Sequence, residues 1–193
     1  MGTKQRIITE ADHLFFTKGF KGLALQELGE RLEIKPASLY YHFPGGKEQI
    51  YLEVIDLRVK EIQAHLEEIH QRHQSLSALL KSFGHWYAKQ PPMNIVFIAE
   101  IDMPFLSTRG QKEVMHKVGT GLYGKLEEIF RSHSEHLRVD QDPSLLVGTF
   151  FALLCSIHAS KRMGKLSLQQ LVEFNVDLFL WGILRQEPNS ARA

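Results

Sequence analysis

The sequence has few of the features that mark secreted, membrane-spanning or disulfide-stabilised proteins. Its 193 residues include one cysteine, Cys155, which excludes an intrachain disulfide and fits a reducing cytoplasm. The nearest approach to a transmembrane run, Leu145–Ile157, is interrupted by a glycine and two hydroxyl residues and is shorter than the roughly 20 residues that cross a bilayer. The first residues are polar and contain no apolar signal region. We therefore expect a cytoplasmic protein without a membrane partner.

Sequence motifs of common enzyme classes are also missing. We find no phosphate-binding loop, nucleophile elbow, HExxH zinc motif or dinucleotide-binding fingerprint, so we expect neither an enzyme nor a cofactor. Two histidine pairs, His70/His73 and His133/His136, have the spacing of zinc ligands on a helix. Each pair lies beside charged residues near a helix end, and no cysteine or further carboxylate completes a set. A solvated helix face is the favoured interpretation, and we expect no metal site.

The excess of positive charge is small. The chain has 23 Lys and Arg against 22 Asp and Glu, a net charge of +1, whereas nucleic-acid-binding proteins are often strongly basic. Residues 1–47 nevertheless carry more basic than acidic side chains, and nothing acidic falls between Lys35 and Lys47. A basic face of this size is sufficient for a few phosphate contacts, but not for binding to any DNA at physiological salt.

Helical periodicity runs through the chain, and no stretch shows the sustained alternation typical of a strand. The predicted fold class is therefore all-α. A first helix is expected from about Thr3 to Lys18, and a long helix from Lys47 to about His70 would extend roughly 35 Å. That length suits a link between a head, residues 1–47, and a helical body, residues 48–193. Further helices are expected at Ser75–Gln90, Asn94–Met103, Thr108–Ser134, Asp142–Met163 and Leu168–Leu184.

Two short helices joined by a tight turn are predicted between residues 25 and 47. Leu28 lies on the apolar stripe of the first helix, and Pro36 suits the first turn of the second because its missing N–H has no partner there. Leu39 and Phe43, four residues apart, point inward and leave polar and aromatic residues on the outside. The pattern predicts a helix-turn-helix whose second helix presents hydrogen-bonding groups to a partner.

The segment Lys4–Ile55 resembles the DNA-binding domain of the TetR (tetracycline-repressor-like) family of bacterial transcription regulators. The resemblance covers about a quarter of the chain and implies a three-helix helix-turn-helix head followed by a helical body that binds a ligand and forms a dimer. Two positions depart from the family pattern: Ala24 replaces the Ser or Thr that often caps the second helix, and Glu33 replaces a turn glycine that allows a positive φ. The motifs that carry the resemblance are Gly19-Phe20, Leu39-Tyr40-Tyr41-His42-Phe43 and Pro44-Gly45-Gly46-Lys47-Glu48-Gln49.

The predicted DNA contacts lie on the helix-turn-helix and at the start of the long helix. Short side chains at the beginning of a major-groove helix can reach base edges, and a lysine at a helix N-terminus can clamp a phosphate. Solvated helix surface and core aromatics are the alternatives. We predict base contacts by Lys35, Ala37 and Ser38, phosphate or sugar contacts by Tyr40, Tyr41 and His42, a phosphate clamp at Lys47, and a further contact at Gln26.

Large aromatic residues alternate with isolated polar groups in the predicted body helices. For each apolar residue taken singly, a packed core is the favoured interpretation. The family resemblance implies that some of these residues line a cavity for a small-molecule effector, which would be mostly apolar with a few orienting polar groups. The candidate ligand-binding residues are His85, Trp86, Glu100, Met103, Tyr123 and His158.

The last two predicted helices are apolar on more than one side, whereas a surface helix needs a single apolar stripe. A four-helix bundle formed with the same helices of a second copy would explain the surplus, and the resemblance also implies it. Full burial within one chain is the alternative. The predicted dimer-interface residues are Phe150, Phe151, Leu154, Leu171, Leu178 and Phe179.

Together these features predict a ligand-responsive, sequence-specific transcription regulator, most often a repressor, that binds a palindromic double-stranded DNA operator as a homodimer. Movement of the long helix on ligand binding would change the spacing of the two heads and lose register with half-sites one helical turn apart. The alternative function is a DNA-binding architectural or cell-division factor whose body binds a protein partner in place of a small molecule.

Overall fold

Regular structure in the computed structural model is helical throughout the described residues, which are 2–91, 97–138, 142–164 and 166–184. An isolated antiparallel bridge joins Leu137 and Leu184, but no strand forms within these ranges. The predicted all-α fold class is confirmed. The α-helices are α1 (Thr3–Gly22), α2 (Leu25–Leu32), α3 (Pro36–His42), α4 (Gly46–Arg72), α5 (Leu76–Tyr87), α6 (Thr108–His116), α7 (Gly124–Ser132), α8 (Pro143–Met163) and α9 (Leu168–Ile183).

The long helix α4 agrees closely with its prediction, beginning at Gly46 and ending at Arg72. Its apolar stripe is buried, as the helical spacing requires, and this stripe holds the helix to its neighbours. The buried members of the stripe are Tyr51, Ile55, Val59, Ile62, Leu66 and Ile69, none more than 4% exposed.

The predicted helix over residues 108–134 is helical over residues 108–132, and a π-helical turn, Lys117–Tyr123, replaces the regular α-helix between α6 and α7. Gly121 lies in this turn, so close to α4 that a Cβ at this position would overlap Cγ1 of Val59. Glycine also has a low preference for the regular α-helix. The close contact and the low helix propensity both favour a departure from the regular α-helix at this turn.

The predicted helix Asn94–Met103 lies partly outside the described residues, since residues 92–96 are not among them. Its described part is a π-helical turn, Ile98–Asp102, followed by the 3₁₀ turn Met103–Phe105. Pro104 occupies the 3₁₀ turn, where its missing N–H prevents continuation of a regular helical ladder.

The chain forms two compact units. The first comprises the described residues of Met1–Gln63 and Pro91–Leu122, and the second those of Ala64–Gln90 and Tyr123–Ala193. Helices α1, α2, α3 and α6 belong to the first unit, and α5, α7, α8 and α9 to the second. The predicted division between residues 47 and 48 remains a prediction, because units defined by packing do not establish which parts fold independently.

Within the first unit, aromatic contacts and an ion pair join α1 to α4. The Phe15 ring centroid lies 5.0 Å from that of Tyr51 and 6.1 Å from that of Phe20. The guanidinium of Arg58 binds the Asp12 carboxylate, with Nε 2.6 Å from Oδ1, and the two side chains are 9% and 13% exposed. These contacts hold α1, which packs on the first helix of the helix-turn-helix, against α4.

The second unit has an aromatic core on α5, α8 and α9. Phe83, Phe150, Phe151 and Phe179 are each at most 4% exposed, and the ring centroids of Phe150 and Phe179 lie 5.2 Å apart. At its N-terminus α9 carries a capping box that begins at Ser167, which satisfies two backbone N–H groups.

Helix α8 extends the apolar run noted at residues 145–157. Over Pro143–Lys161 it is long and apolar enough to cross a membrane by length and composition, with a mean hydropathy of 1.5. It is the one helix of this kind among the described residues, and the core helix of a soluble protein meets the same criteria. The prediction that the protein has no membrane partner therefore stays a prediction.

Candidate nucleic-acid interface

The turn between α2 and α3 agrees with the sequence pattern. Gly29 lies so close to the turn that a Cβ would stand 3.1 Å from the carbonyl oxygen of Ile34, and the N–H of Ile34 donates to the Gly29 carbonyl at 2.9 Å. Glu33 has a φ of 56°, in the left-handed region, so the predicted positive φ is confirmed. Ala24 is the N-cap of α2 and supplies no side-chain hydrogen bond, as expected.

Helix α3 has one buried and one exposed face. Leu39 and Phe43 are 2% and 0% exposed and hold the helix to the first unit. The opposite face offers a cation, a methyl group, a hydroxyl and two phenols, a set that can contact base edges and phosphates in a major groove. Of the predicted contact residues on α3 and its N-cap, Lys35, Ala37, Tyr40 and Tyr41 are exposed, and Ser38 and His42 are half-buried.

Gln26, the predicted contact at the start of α2, is exposed and is held by its own helix. Its Nε2 donates to Oε1 of Glu30 at 2.9 Å. A groove between α2 and α3 is lined by Gln26 together with Lys35 and Tyr40. The structure therefore brings Gln26 to the same surface as the predicted contacts of α3.

Ion pairs neutralise part of the charge on this surface. The Lys18 ammonium lies 2.6 Å from the Glu27 carboxylate, and Arg31 Nε lies 3.3 Å from the same carboxylate. The hydrogen bond from Lys18 holds the pKa of Glu27 below its usual value. Lys35, by contrast, makes no ion pair with any residue that the structure describes. The Lys35 ammonium is therefore free to meet a partner at the N-cap of α3, although the exposed carboxylates of Glu30 and Glu33 line the same groove.

Lys47, the predicted phosphate clamp, points into the first unit. Its Nζ donates to the carbonyl oxygen of Leu23 at 2.8 Å and lies 4.5 Å from the Phe20 ring centroid. Burial lowers the pKa of Lys47, and the nearby Asp102 carboxylate opposes this shift. In this position Lys47 ties the end of α1 to the start of α4, so a phosphate contact would require its side chain to turn outward.

Asp102 is an important residue of this region that the sequence patterns did not single out. It is 3% exposed and accepts two hydrogen bonds, from the Phe20 N–H at 2.7 Å and from the Tyr51 hydroxyl at 2.8 Å. Burial raises the pKa of Asp102, and these donors and Lys47 oppose the shift. Gly19, with a φ of 74°, breaks the regular helix of α1 at this point, and its missing side chain leaves room for the Asp102 carboxylate.

A second carboxylate, that of Glu48 on α4, also joins α4 to the segment that carries Asp102. Glu48 accepts hydrogen bonds from the N–H of Ser107 at 2.8 Å and from its hydroxyl at 2.5 Å. Ser107 is also the N-cap of α6. The segment 98–107 is thus attached to the start of α4 through one carboxylate of its own and one carboxylate of the helix.

The candidate ligand residues are divided between the two units. In the second unit, Tyr123 stacks on Phe151 with ring centroids 6.2 Å apart, and the His158 ring lies 6.2 Å from that of Tyr87. These four residues, Tyr123, Phe151, Tyr87 and His158, form an aromatic cluster beside Cys155, whose Sγ lies 3.8 Å from the Tyr87 hydroxyl. The cavity that the sequence predicts here remains a prediction.

The other four ligand candidates fit the prediction less well. His85 Nε2 pairs with the Glu173 carboxylate at 2.9 Å, and the Trp86 ring stacks on His65 at 4.5 Å. Glu100 is exposed and Met103 is half-buried, and both belong to the first unit. The Glu100 side chain is already solvated, so it lacks the apolar surroundings expected of a group that lines a mostly apolar cavity.

The predicted dimer-interface residues are mostly buried within the single chain. Their side chains already pack in the core of the second unit, which favours the alternative of burial within one chain for these residues. Leu178 is different, since it is 47% exposed and shares its face of α9 with Phe174 and Trp181, which are 63% and 71% exposed. The buried residues are Phe150, Phe151, Leu154, Leu171 and Phe179, at 1%, 2%, 0%, 6% and 4% exposed.

Comparison with known families identifies the head. The family described as bacterial regulatory proteins, tetR family, matches residues 7–54, which extend from α1 through the helix-turn-helix into α4. The chain carries a TetR-family DNA-binding domain. The resemblance recognised from the sequence motifs is thereby confirmed.

Individual relatives agree with this assignment. The chain is 37% identical over 54 residues to the HTH-type transcriptional regulator LmrA of Bacillus subtilis (strain 168), an alignment covering 28% of this chain and 29% of LmrA. It is 42% identical over 53 residues to the biofilm operon icaADBC HTH-type negative transcriptional regulator IcaR of Staphylococcus epidermidis, covering 28% of each. The chain thus spans less than a third of the length of these curated relatives.

The likeness of fold extends over nearly the whole chain. The structure of AibR in complex with isovaleryl coenzyme A and operator DNA has a TM-score of 0.72 to this chain and 19% sequence identity, covering 91% of this chain and 96% of that one. At this level of identity the likeness establishes the fold alone. The all-α architecture beyond the head is therefore that of AibR, whatever the two proteins bind.

Proposed function

We propose that the protein is a sequence-specific DNA-binding transcription regulator, with repression as its form of regulation, that acts in the cytoplasm and has no catalytic role. The observation that carries the proposal is the exposed face of α3 within a TetR-family domain. LmrA and IcaR, which share this domain, are both named as transcriptional regulators, and IcaR as a negative one. A repressor is therefore the form of regulation that the relatives favour.

The chemistry of the α3 face suits a division of roles. Ala37 and Ser38 follow Pro36 in the first turn of α3, where short side chains bring the backbone close to base edges. Lys35 supplies a positive charge that makes no ion pair with any described residue. Tyr40 and Tyr41 are exposed at 54% and 82%, which suits phosphate or sugar contacts that fix the orientation of the helix. His42 and Gln26 lie at the borders of this face and would add further contacts.

We propose that the protein binds a palindromic operator as a homodimer through α8 and α9. On α9, Phe174, Leu178 and Trp181 are spaced four and three residues apart and expose one apolar stripe. On α8, the exposed residues Leu145 and Ala152 lie on a face with few bulky side chains, which permits close approach of a second helix. A two-fold pair of these helices would form a four-helix bundle and place two α3 helices for paired half-sites.

We also propose that a small-molecule effector binds in the second unit. The aromatic cluster of Tyr87, Tyr123, Phe151 and His158 combines apolar surface with hydroxyl and imidazole groups, a lining typical of ligand sites. AibR, of the same fold, is described in complex with isovaleryl coenzyme A and operator DNA. Effector binding would act on DNA affinity by moving α4.

Selection of genomic DNA fragments by the purified protein, followed by sequencing, tests the central proposal. The selected fragments should share an inverted repeat. Ser38→Ala and Lys35→Ala should change the preferred sequence, whereas Lys112→Ala, which removes an exposed lysine of α6, should leave it unchanged. Recovery of fragments without a common sequence, or an unchanged preference in both α3 variants, would contradict sequence-specific recognition by α3.

A further inference from the structure

Lys47 occupies a position that its predicted role does not explain. A phosphate clamp at a helix N-terminus should be free to reach solvent. The Lys47 ammonium instead donates to the Leu23 carbonyl at 2.8 Å and lies over the Phe20 ring at 4.5 Å. Both contacts are with the junction between α1 and α2, so the cation is drawn into the first unit.

Phe20 connects this cation to Asp102. The Phe20 ring contacts the Lys47 ammonium, while the Phe20 N–H donates to Oδ1 of Asp102 at 2.7 Å. The Tyr51 hydroxyl donates to Oδ2 of the same carboxylate at 2.8 Å. Asp102 is 3% exposed, so its negative charge acts on Lys47 with little solvent screening. The buried carboxylate therefore adds an electrostatic attraction to the two direct contacts of Lys47, although the two charged groups form no direct ion pair.

We propose that the Asp102 carboxylate holds the Lys47 ammonium inside the first unit, and that Lys47 binds a DNA phosphate only when this hold is released. The proposal rests on the DNA-binding function proposed above. Asp102 would act as a positioning residue, since it works through Lys47 and touches no DNA itself.

The position of the segment that carries Asp102 would control whether the carboxylate holds Lys47. Asp102 ends the π-helical turn Ile98–Asp102, and five residues later Ser107 donates two hydrogen bonds to Glu48, the neighbour of Lys47. A shift of residues 98–107 would therefore move the carboxylate away from Lys47 and disturb the first turn of α4 at the same time. The amount of charge available to a DNA phosphate would then depend on the position of this segment.

A measurement without DNA tests the position of Lys47. Reductive methylation with ¹³C-formaldehyde keeps the lysine charge and gives each lysine an NMR signal, which a nearby aromatic ring displaces. The nearby Phe20 ring should shift the methyl signal of Lys47 away from the methyl signal of Lys35, which is exposed. Asp102→Asn preserves a hydrogen-bond acceptor but removes the charge, and should move the Lys47 signal towards that of Lys35.

Tyr51→Phe is the matched control, because it removes one hydrogen bond to Asp102 and leaves the charge in place. Its Lys47 signal should stay displaced. If the Lys47 and Lys35 signals coincide in the wild-type protein, the inward position is wrong, and this result does not depend on whether any variant folds. An Asp102→Asn spectrum with an unmoved Lys47 signal would also overturn the proposal.

A DNA-binding cycle tests the consequence for affinity, with a fragment selected by the protein as the probe. Asp102→Asn should bind roughly two- to tenfold more tightly than the wild type, the scale of a partly screened charge pair. The gain should vanish in a Lys47→Met background. Equal weakening by Asp102→Asn with and without Lys47 would mean that Asp102 is only structural, and would overturn the proposal. A released Lys47 signal without DNA binding by any variant would support the hold on Lys47 and refute the DNA-binding function.

Discussion

Substitution of Trp181 tests the proposed dimer most directly. Trp181 is 71% exposed in the single chain, although tryptophan is one of the most apolar side chains by area. An aromatic side chain of this size presents about 250 Å², so about 180 Å² remain accessible. Burial of that area at about 25 cal/mol per Å² is worth about 4.5 kcal/mol for each copy, or about 9 kcal/mol for a symmetric pair.

These values are upper bounds, because association also orders side chains and leaves part of the area accessible. If only a third of the gain is realised, Trp181→Ala costs about 3 kcal/mol of dimer stability, which weakens the dimer about a hundredfold. The substitution should not unfold the chain, since the side chain has few contacts to lose within it. Sedimentation equilibrium over a concentration series measures the dissociation constant, and circular dichroism checks that the helical content is retained.

Met115→Ala is the matched control for this prediction. Met115 is 59% exposed and also apolar, but it lies on α6 and not on the proposed interface. Its loss should leave the dissociation constant of the dimer unchanged. A wild-type protein that sediments as a monomer at micromolar concentration would refute the bundle, as would an equal effect of the two substitutions.

Two further predictions concern the support of the helix-turn-helix. Gly121→Ala should lower the free energy of unfolding by about 1–3 kcal/mol in chemical denaturation, since the new methyl group would overlap Val59, whereas Gly119→Ala, with no atom within 4 Å of its Cβ, should not. Similar losses in both would contradict the close packing. Arg58→Met should cost about 3–5 kcal/mol by leaving the Asp12 carboxylate without its partner, and adding Asp12→Asn should restore much of the loss; no recovery in the double variant would argue against the ion pair.

The parts of the fold that the sequence predicted are those governed by local rules. Leu28, Leu39 and Phe43 are buried because helical spacing places them on one stripe, and the residue order of the turn determines the positive φ of Glu33. The family motifs lie in this same region, so the position of the predicted DNA-contact residues on the surface followed from short-range patterns. None of these inferences required knowledge of a distant segment.

The parts that could not be predicted depend on contacts between distant residues. Asp102 receives its hydrogen bonds from Phe20 and Tyr51, which precede it by 82 and 51 residues. The available signals were two acidic residues, Glu100 and Asp102, in the otherwise apolar segment 98–106 and a Gly-Phe pair at the end of α1. Neither signal identifies its partner, so the inward position of Lys47 could not be anticipated from its place at a helix N-terminus.

The dimer-interface residues show a different limit. The sequence correctly indicated that α9 is apolar on two sides, but periodicity cannot tell which side faces the chain's own core. Phe179 took the inner side, and Leu178, one residue earlier and therefore about 100° away around the helix, took the outer side. An error of one residue in assigning the face thus exchanges a core position for a surface position.

The distribution of charge explains how a nearly neutral chain could still bind DNA. The acidic side chain of Glu27 in α2 is already paired with Lys18 and Arg31, so its field is largely cancelled at the distance of a phosphate. Lys35 is left unpaired among the described residues at the N-terminus of α3, while Lys47 is drawn inward. The number of cations free to meet phosphates is therefore small, and most discrimination must come from contacts with bases rather than from general attraction to DNA. A protein of this kind would recognise its site mainly by contacts with the bases. Because few cations are free, the release of one additional lysine would increase its attraction to the DNA backbone by a large fraction.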